Sequence, residues 1–259
     1  MSLRLRATNC APSMAEKIAR ARLSISALPA FGIDRAIIAA RNPRFASVKW
    51  SISALDERIE FVSVDLIGAE HKGPAFLARN PSGVLPVLEL DDGTFISEST
   101  AITEYLDNLD GNPVLTGSSP KEKALIHMMQ RRAEAELLDA VGHYFHFATP
   151  GLGAALQAFK STDWTGRQEW GRREGARAVA GMRYFDRVLQ DNPFVAGSKV
   201  SMADITVYAG LAFADAAGLT IPDGCAALKA WRETVSGLPM IKNRSGQAFA
   251  AEDLKRMGF

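Results

Sequence analysis

The two halves of the chain differ in how their apolar residues are spaced. Residues 59–66 alternate apolar and polar side chains and are rich in β-branched residues, which predicts a strand. Shorter runs predict a helix at residues 75–79 and a strand at 84–90. A turn at 91–93 then leads to a strand at 94–96, and a helix follows at 100–106. The Asp92-Gly93 pair suits a hairpin turn, because glycine readily adopts positive φ. This order is typical of half of a small α/β domain.

After residue 113 the apolar residues recur at helical spacing, and no strand pattern appears. Helices are predicted at residues 121–147, 167–189, 201–217 and 226–235. Ser201 and Asp204 have the spacing of a capping box, with Asp in place of the usual Glu or Gln. The helix that they open is apolar on nearly all sides, so we expect it to be central and buried. The fold class is therefore α/β plus all-α.

Composition and charge exclude several classes of protein. The 259 residues are 47% hydrophobic and 23% charged, as in ordinary globular proteins. A formal net charge of +1 predicts no nucleic-acid partner. No apolar run approaches the ~18 residues of a membrane-spanning helix, so no membrane contact is predicted. Two distant cysteines, Cys10 and Cys225, argue against a disulfide framework, and we predict a reducing, cytoplasmic location.

His143 and His146 lie three residues apart on one predicted helix face, which raises the question of a metal site. No cysteine or carboxylate at ligand spacing joins them, and Asp139 is an ordinary helical neighbour. We therefore predict no metal.

A proline inside the predicted strand 84–90 indicates a ligand site. Proline cannot donate to a strand ladder, so within sheets it is confined to edges, bulges or special bonds. A cis Leu85-Pro86 bond would turn the backbone of Leu85 outward, where it could pair with an extended peptide. The helix that follows Glu98 and Ser99 offers N–H groups to a carboxylate, and Glu98 can accept from an ammonium group. A γ-glutamyl group carries both charges, so these residues predict a glutathione seat.

Two longer runs carry a family resemblance. NPSGVLPVLELDDGTFISESTAITEYL resembles the glutathione-binding region of the glutathione S-transferase superfamily, and FVAGSKVSMADITVYAGL resembles its helical-domain signature. The resemblance spans about residues 59–245. It implies a thioredoxin-like N-terminal domain, an all-helical C-terminal domain and usually a homodimer. It also implies glutathione as co-substrate, bound at Leu85 and Pro86, by Glu98 and Ser99, and by Lys72 toward the glycyl carboxylate.

The resemblance divides the chain into three parts. Residues 1–33 are assigned to an atypical basic extension, residues 34–112 to the thioredoxin-like glutathione-binding domain, and residues 118–259 to the all-α substrate-binding domain. The family implies a Tyr, Ser or Cys after the first strand, because the thiol of glutathione, with a pKa of ~8.5, needs a donor to stabilise its thiolate. Two alignments of the N-terminal segment compete for that role.

In the first alignment, residues 35–39 form the first strand and residues 45–55 the first helix. Asn42 then lies in the active-site turn, in an Asn-Pro-Arg sequence that resembles bacterial members of the family. No Tyr, Ser or Cys stands at the expected position, so Asn42 is the nearest candidate donor together with Arg41.

In the second alignment, residues 3–7 form the strand and residues 15–23 the helix. The turn between them offers Cys10 as a catalytic candidate, together with Thr8, Asn9 and Ser13. This alignment requires an insertion of about 35 residues before the next strand, which loop lengths in compact domains disfavour. The first alignment is preferred, and both Asn42 and Cys10 stay candidates.

Three functions follow from these alternatives. The leading hypothesis is a glutathione transferase that adds the glutathione thiol to an electrophilic small molecule, held near residues 127–147 by side chains such as Met128, Tyr144 and Phe147. If Cys10 is the active residue, a glutathione-dependent thiol-disulfide reductase is favoured. If the donor is missing, the chain is a non-catalytic glutathione-binding or ligand-binding protein.

Overall fold

The computed structural model describes most of both predicted domains, at residues 21–22, 62, 64–65, 68–90, 92–108, 111–149, 166–238 and 241. The catalytic candidates Cys10 and Asn42 lie outside these residues, as do both candidate first strands.

Three short antiparallel strands form the sheet of the first domain. Strand β1 is Ala21–Arg22, β2 is Val87–Leu90 and β3 is Phe95–Ser97, in the order β1-β2-β3. β2 pairs with β3 on one side and with β1 on the other. The pairing with β1 provides partners for backbone groups that an unpaired strand edge would leave without any. The second alignment had placed residues 21–22 in a helix, which is wrong for these two residues. They also lie in the segment assigned to the basic extension 1–33.

The predicted strand at 59–66 is not observed at its described residues, Val62, Val64 and Asp65. Instead the chain turns at Asp65, whose backbone N–H donates to the Glu70 carboxylate at 2.7 Å. The Glu70 N–H donates back to the Asp65 carbonyl oxygen at 2.9 Å. Such local side-chain bonds compete with a strand ladder, and here they close a turn.

The remaining elements of the first domain follow the predicted order with shifted ends. A 3₁₀ turn at Glu70–Lys72 precedes helix α1, Pro74–Leu77, and the hairpin is followed by helix α2, Ser99–Asp107. Gly93 in the hairpin turn has φ 84°, as the turn chemistry predicts.

The second domain is helical over the described residues, with one isolated bridge between Phe194 and Gly197. Its elements are α3 (Pro120–Arg132), a π-helical turn (Ala133–Leu138), α4 (Asp139–Ala148), α5 (Gln168–Asp191), α6 (Met202–Ala216) and α7 (Ala226–Ser236). The four predicted helices are thus confirmed, but the first is interrupted. In the π turn the Asp139 N–H donates to the Glu134 carbonyl oxygen, five residues back.

Helix α6 occupies the centre of the helical domain, as its apolar composition predicts. Its side chains are buried on nearly all sides, and Ile205 and Leu211 are fully buried. Leu211 belongs to one core cluster with Leu137 of the π turn, Phe185 of α5 and Leu228 of α7, whereas Ile205 packs in a second cluster with Leu115 and Ile126. None of the helices described here is long and apolar enough to cross a membrane.

Candidate functional site

An open cleft of about 150 Å³ lies where the first domain meets the helical domain. Residues of both domains line it: Val84, Leu85, Glu98, Ser99, Gln130, Arg131, Glu134, Leu138, Asp139 and Thr206. The structure thus brings together Leu85, Glu98 and Ser99 of the predicted seat. Lys72 is not among the lining residues.

The loop before β2 presents the backbone of Leu85. The Leu85-Pro86 peptide bond is cis, which is the form considered from the sequence. The buried Asn80 side chain holds the loop, because its Nδ2 donates to the Val84 carbonyl oxygen at 2.7 Å. Within the described part of the chain, neither backbone group of Leu85 has a hydrogen-bond partner. These groups therefore can pair with an extended ligand in the cleft.

Glu98 and Ser99 lie at the start of α2. Glu98 precedes the helix with φ 72° and ψ 125°, a conformation that residues other than glycine rarely adopt. Such backbone strain persists only where the surrounding structure imposes it, and it is found at ligand sites. Ser99 is the first residue of α2, and the N-terminal turn of a helix favours an anion.

Lys72 stabilises the same loop from outside the cleft. Its Nζ donates to the carbonyl oxygens of Gly83 at 2.8 Å and Ser82 at 3.4 Å. Gly83 has φ 60°, which favours glycine at that position. The observed role of Lys72 is to hold the loop that leads to Leu85, and its contact with a glycyl carboxylate stays a prediction.

His71 lies beneath that loop and is only 6% exposed. Burial lowers the pKa of its imidazole from 6.5 to about 4, because burial disfavours the charged form, and the neighbouring Lys72 charge lowers it further. His71 is therefore neutral at pH 7.

This neutral histidine predicts sensitivity to acid. Between pH 6.5 and 4 the unfolded chain binds a proton at His71 that the folded chain does not, so stability is present above pH 6.5 and is lost toward pH 4. We expect the free energy of unfolding to fall by about 2 kcal/mol between pH 7 and 5 because of this residue. Urea unfolding at both pH values tests it. His71→Gln should remove this decrease in the free energy of unfolding. His127→Gln, which changes an exposed ring paired with Glu104, should leave the decrease as in the wild type. Equal pH dependence in wild type and His71→Gln would contradict the prediction.

The helical domain contributes a polar network that sequence reasoning missed. Thr100 Oγ1 donates to Glu134 Oε1 at 2.6 Å, and Gln130 Nε2 donates to both, each at 3.0 Å. The i, i+4 spacing of Gln130 and Glu134 on a predicted helix could have indicated their pairing. Nothing in the local pattern indicated that Thr100, 30 residues before Gln130, would join them.

The π turn explains why several acidic and apolar residues face the same cleft. Its hydrogen bonds join residues five apart, so Glu134 and Asp139 become neighbours along the helix surface. Leu138 lies between them on the cleft. The guanidinium of Arg177 in α5 donates to the Ala135 carbonyl oxygen, which stabilises the turn from behind.

The cleft is lined by several residues of the predicted substrate segment 127–147, but neither the histidine pair nor the side chains named as examples are among them. His143 Nδ1 lies 3.0 Å from Glu174 Oε2, and within the described residues no three potential metal ligands come together. Tyr144 packs over Gly175, and the Phe147 ring lies 4.9 Å from that of Trp170. Neither they nor Met128 lines the cleft, so their contact with a second substrate stays a prediction.

The fold and site are those of a two-domain protein of glutathione-binding type. Its marks are the hairpin with its cis proline, the strained residue before α2 and the all-helical second domain. Family models described as "Glutathione S-transferase, N-terminal domain" and "Glutathione S-transferase, C-terminal domain" match residues 52–109 and 168–234. The chain is 54% identical over 184 residues to glutathione S-transferase 2 of Saccharomyces cerevisiae, covering 71% of this chain and 76% of that protein.

Solved structures agree with these matches. The crystal structure of Gtt2 from Saccharomyces cerevisiae has a TM-score of 0.72 at 50% identity, covering 78% of this chain and 95% of that one. A glutathione S-transferase domain-containing protein of Marinobacter aquaeolei has a TM-score of 0.70 at 45% identity, covering 77% and 95%. The chain belongs to the glutathione S-transferase family. The predicted fold class and family are confirmed, and with the family the enzyme class, a glutathione transferase with glutathione as co-substrate.

Proposed function

We propose that this chain adds the thiol of glutathione to an electrophilic small molecule, with glutathione held in the cleft between the domains. The backbone of Leu85, beside Pro86, pairs with the peptide. Ser99 and the first N–H groups of α2 hold the glutamyl carboxylate, and Glu98 accepts from the ammonium group. The observation that carries this proposal is the convergence of Leu85, Glu98 and Ser99 on one cleft, with Glu98 held at positive φ.

The chemistry requires a thiolate, which is the nucleophilic form of the sulfur. Binding both reactants in one site supplies proximity, and a donor near the sulfur stabilises the anion. Asn42 and Cys10 are the proposed donors, and Lys72 is proposed to approach the glycyl carboxylate when glutathione is bound.

The proposed assembly is a cytoplasmic homodimer. Five large apolar side chains are exposed among the described residues, and three of them lie on β3 or α3: Phe95 at 38%, Leu125 at 40% and Met128 at 48%. They belong to the glutathione domain and the first long helix, the elements that are proposed to pack across a two-fold axis. Burial of such side chains against a second copy would remove apolar surface from water.

Calorimetric titration with glutathione at neutral pH tests the seat. We expect Glu98→Gln and Ser99→Ala each to weaken binding about tenfold, because each removes one charge-assisted or hydroxyl hydrogen bond to the ligand. Asp92→Asn is the matched control. It makes the same carboxylate-to-amide change at the exposed hairpin turn, where Oδ1 accepts from the Thr94 N–H. Wild-type affinity in both Glu98→Gln and Ser99→Ala would rule out this seat.

A further inference from the structure

Glu134 of the helical domain contacts the first turn of α2. Glu134 Oε1 accepts from Thr100 Oγ1 at 2.6 Å and from Gln130 Nε2 at 3.0 Å. Gln130 also donates to Thr100 Oγ1 at 3.0 Å, so the three side chains form a closed triangle. Thr100 follows Ser99 directly, and the triangle therefore fixes the turn that carries the proposed carboxylate seat.

One member of this triangle, Gln130, is buried, whereas Thr100 and Glu134 are partly exposed. Gln130 is only 2% exposed, and water competes poorly for hydrogen bonds inside such a network. The other carboxylate oxygen of Glu134 lies 3.9 Å from Arg131, whose side chain is 71% exposed. An exposed pair at that distance contributes little. The hydrogen bond from Thr100, in contrast, joins this carboxylate to the first domain.

The π turn determines where Glu134 points. The Asp139 N–H donates to the Glu134 carbonyl oxygen, and Arg177 of α5 donates to the adjacent Ala135 carbonyl oxygen. The backbone of Glu134 is thus held from two sides, and both Gln130 and Glu134 line the cleft. A carboxylate held in this way fixes where Thr100, and with it the first turn of α2, lies relative to the helical domain.

We propose that Glu134 is a positioning residue for glutathione: it acts through Thr100 to hold Ser99 and the first N–H groups of α2 in the geometry that binds the glutamyl carboxylate. This inference rests on the proposed function, because it assigns a second layer of residues to the same seat. Removal of the Glu134 side chain leaves Leu85, Glu98 and Ser99 of the proposed seat in place but frees the turn, so affinity falls although none of these residues is changed.

Glutathione titrations of a small set of variants test the proposal. Glu134→Ala and Thr100→Val should each weaken binding about tenfold, and the double variant should be no weaker than either single variant, since both remove one interaction. Glu134→Gln should retain affinity within about twofold, because its amide oxygen still accepts from Thr100. Glu136→Ala is the control from the same π turn: Glu136 pairs with Arg132 at 3.3 Å and does not line the cleft.

Thermal unfolding of each variant separates a local effect from loss of folding. Unchanged affinity in folded Glu134→Ala would overturn the positioning role alone, as would additive losses in the double variant. Failure of Glu134→Gln to restore affinity would also overturn it, because charge rather than the hydrogen bond would then be required. Absence of glutathione binding by the wild-type chain would overturn the proposed function, and the positioning role with it.

Discussion

Replacement of Asp204 by alanine is expected to lower the free energy of unfolding by about 4 kcal/mol, more than any other change considered for this chain. The Asp204 carboxylate is fully buried at the start of α6. It accepts from the Val195 N–H at 2.8 Å, from Trp231 Nε1 at 3.1 Å, and from the N–H and hydroxyl of Ser201, both at 2.9 Å. Burial raises the pKa of this carboxyl, and the four donors offset part of that cost.

The size of the effect follows from what alanine leaves behind. The donors of Val195, Ser201 and Trp231 would lose their acceptor in the core, where each unsatisfied group costs about 1–3 kcal/mol. Val195 lies in the loop before α6, Ser201 is the N-cap of α6 and Trp231 belongs to α7. Loss of the Asp204 carboxylate therefore also removes the hydrogen bonds that join these three parts. Urea unfolding monitored by circular dichroism at pH 7 measures the change.

A second capping box in the chain supplies the control. Glu122 accepts from the Ser118 hydroxyl at 2.7 Å and from the Ser119 N–H at 3.2 Å, at the exposed start of α3. Glu122→Ala removes an acid from the same position of the same motif, but water can replace the lost partner. A clearly smaller loss is expected, and equal losses for the two variants would show that burial of Asp204 is not the cause.

Gly181→Ala is expected to lower the free energy of unfolding by about 3 kcal/mol. A Cβ atom at Gly181 of α5 would overlap the carbonyl oxygen of Glu136 in the π turn and lie 3.0 Å from its carbonyl carbon. Both are backbone atoms, so relief requires α5 and the π turn to move apart. In an interior packed to the density of a crystal, that movement disturbs many contacts.

Gly142→Ala is the matched control for this prediction. Gly142 also lies inside a helix, but the atom nearest to an added methyl group would be Phe213 Cε1 at 3.7 Å, an ordinary contact. Alanine there should raise stability by about 0.5–1 kcal/mol, because glycine costs that much in a helix interior. Urea unfolding of the two variants should therefore give changes of opposite sign. A stabilised Gly181→Ala would show that α5 can retreat from the π turn without cost.

Much of the site could be predicted because its signals are local. The cis Leu85-Pro86 bond, the Glu98-Ser99 pair at a helix start and the Ser201–Asp204 box each place their chemistry within a few residues. Proline, the ends of helices and short polar side chains restrict the backbone near themselves, whatever the rest of the chain does. The long helices were predictable for a related reason, since a 3.6-residue apolar period requires a buried face.

Tertiary structure alone decided the features whose partners are distant in the chain. Residues 21–22 pair with β2 because a strand edge can pair with the backbone of any sequence. The predicted strand at 59–66 is replaced near Asp65 by a turn, which the hydrogen bonds between Asp65 and Glu70 close. The Thr100–Glu134 bond spans 34 residues, and the π turn depends on Arg177 and Gly181 of another helix. The sequence by itself therefore determined the family, the helices and the residues of the proposed glutathione seat. Packing between helices decided how the helical domain reaches that seat, because such contacts depend on the distance between elements and have no local pattern.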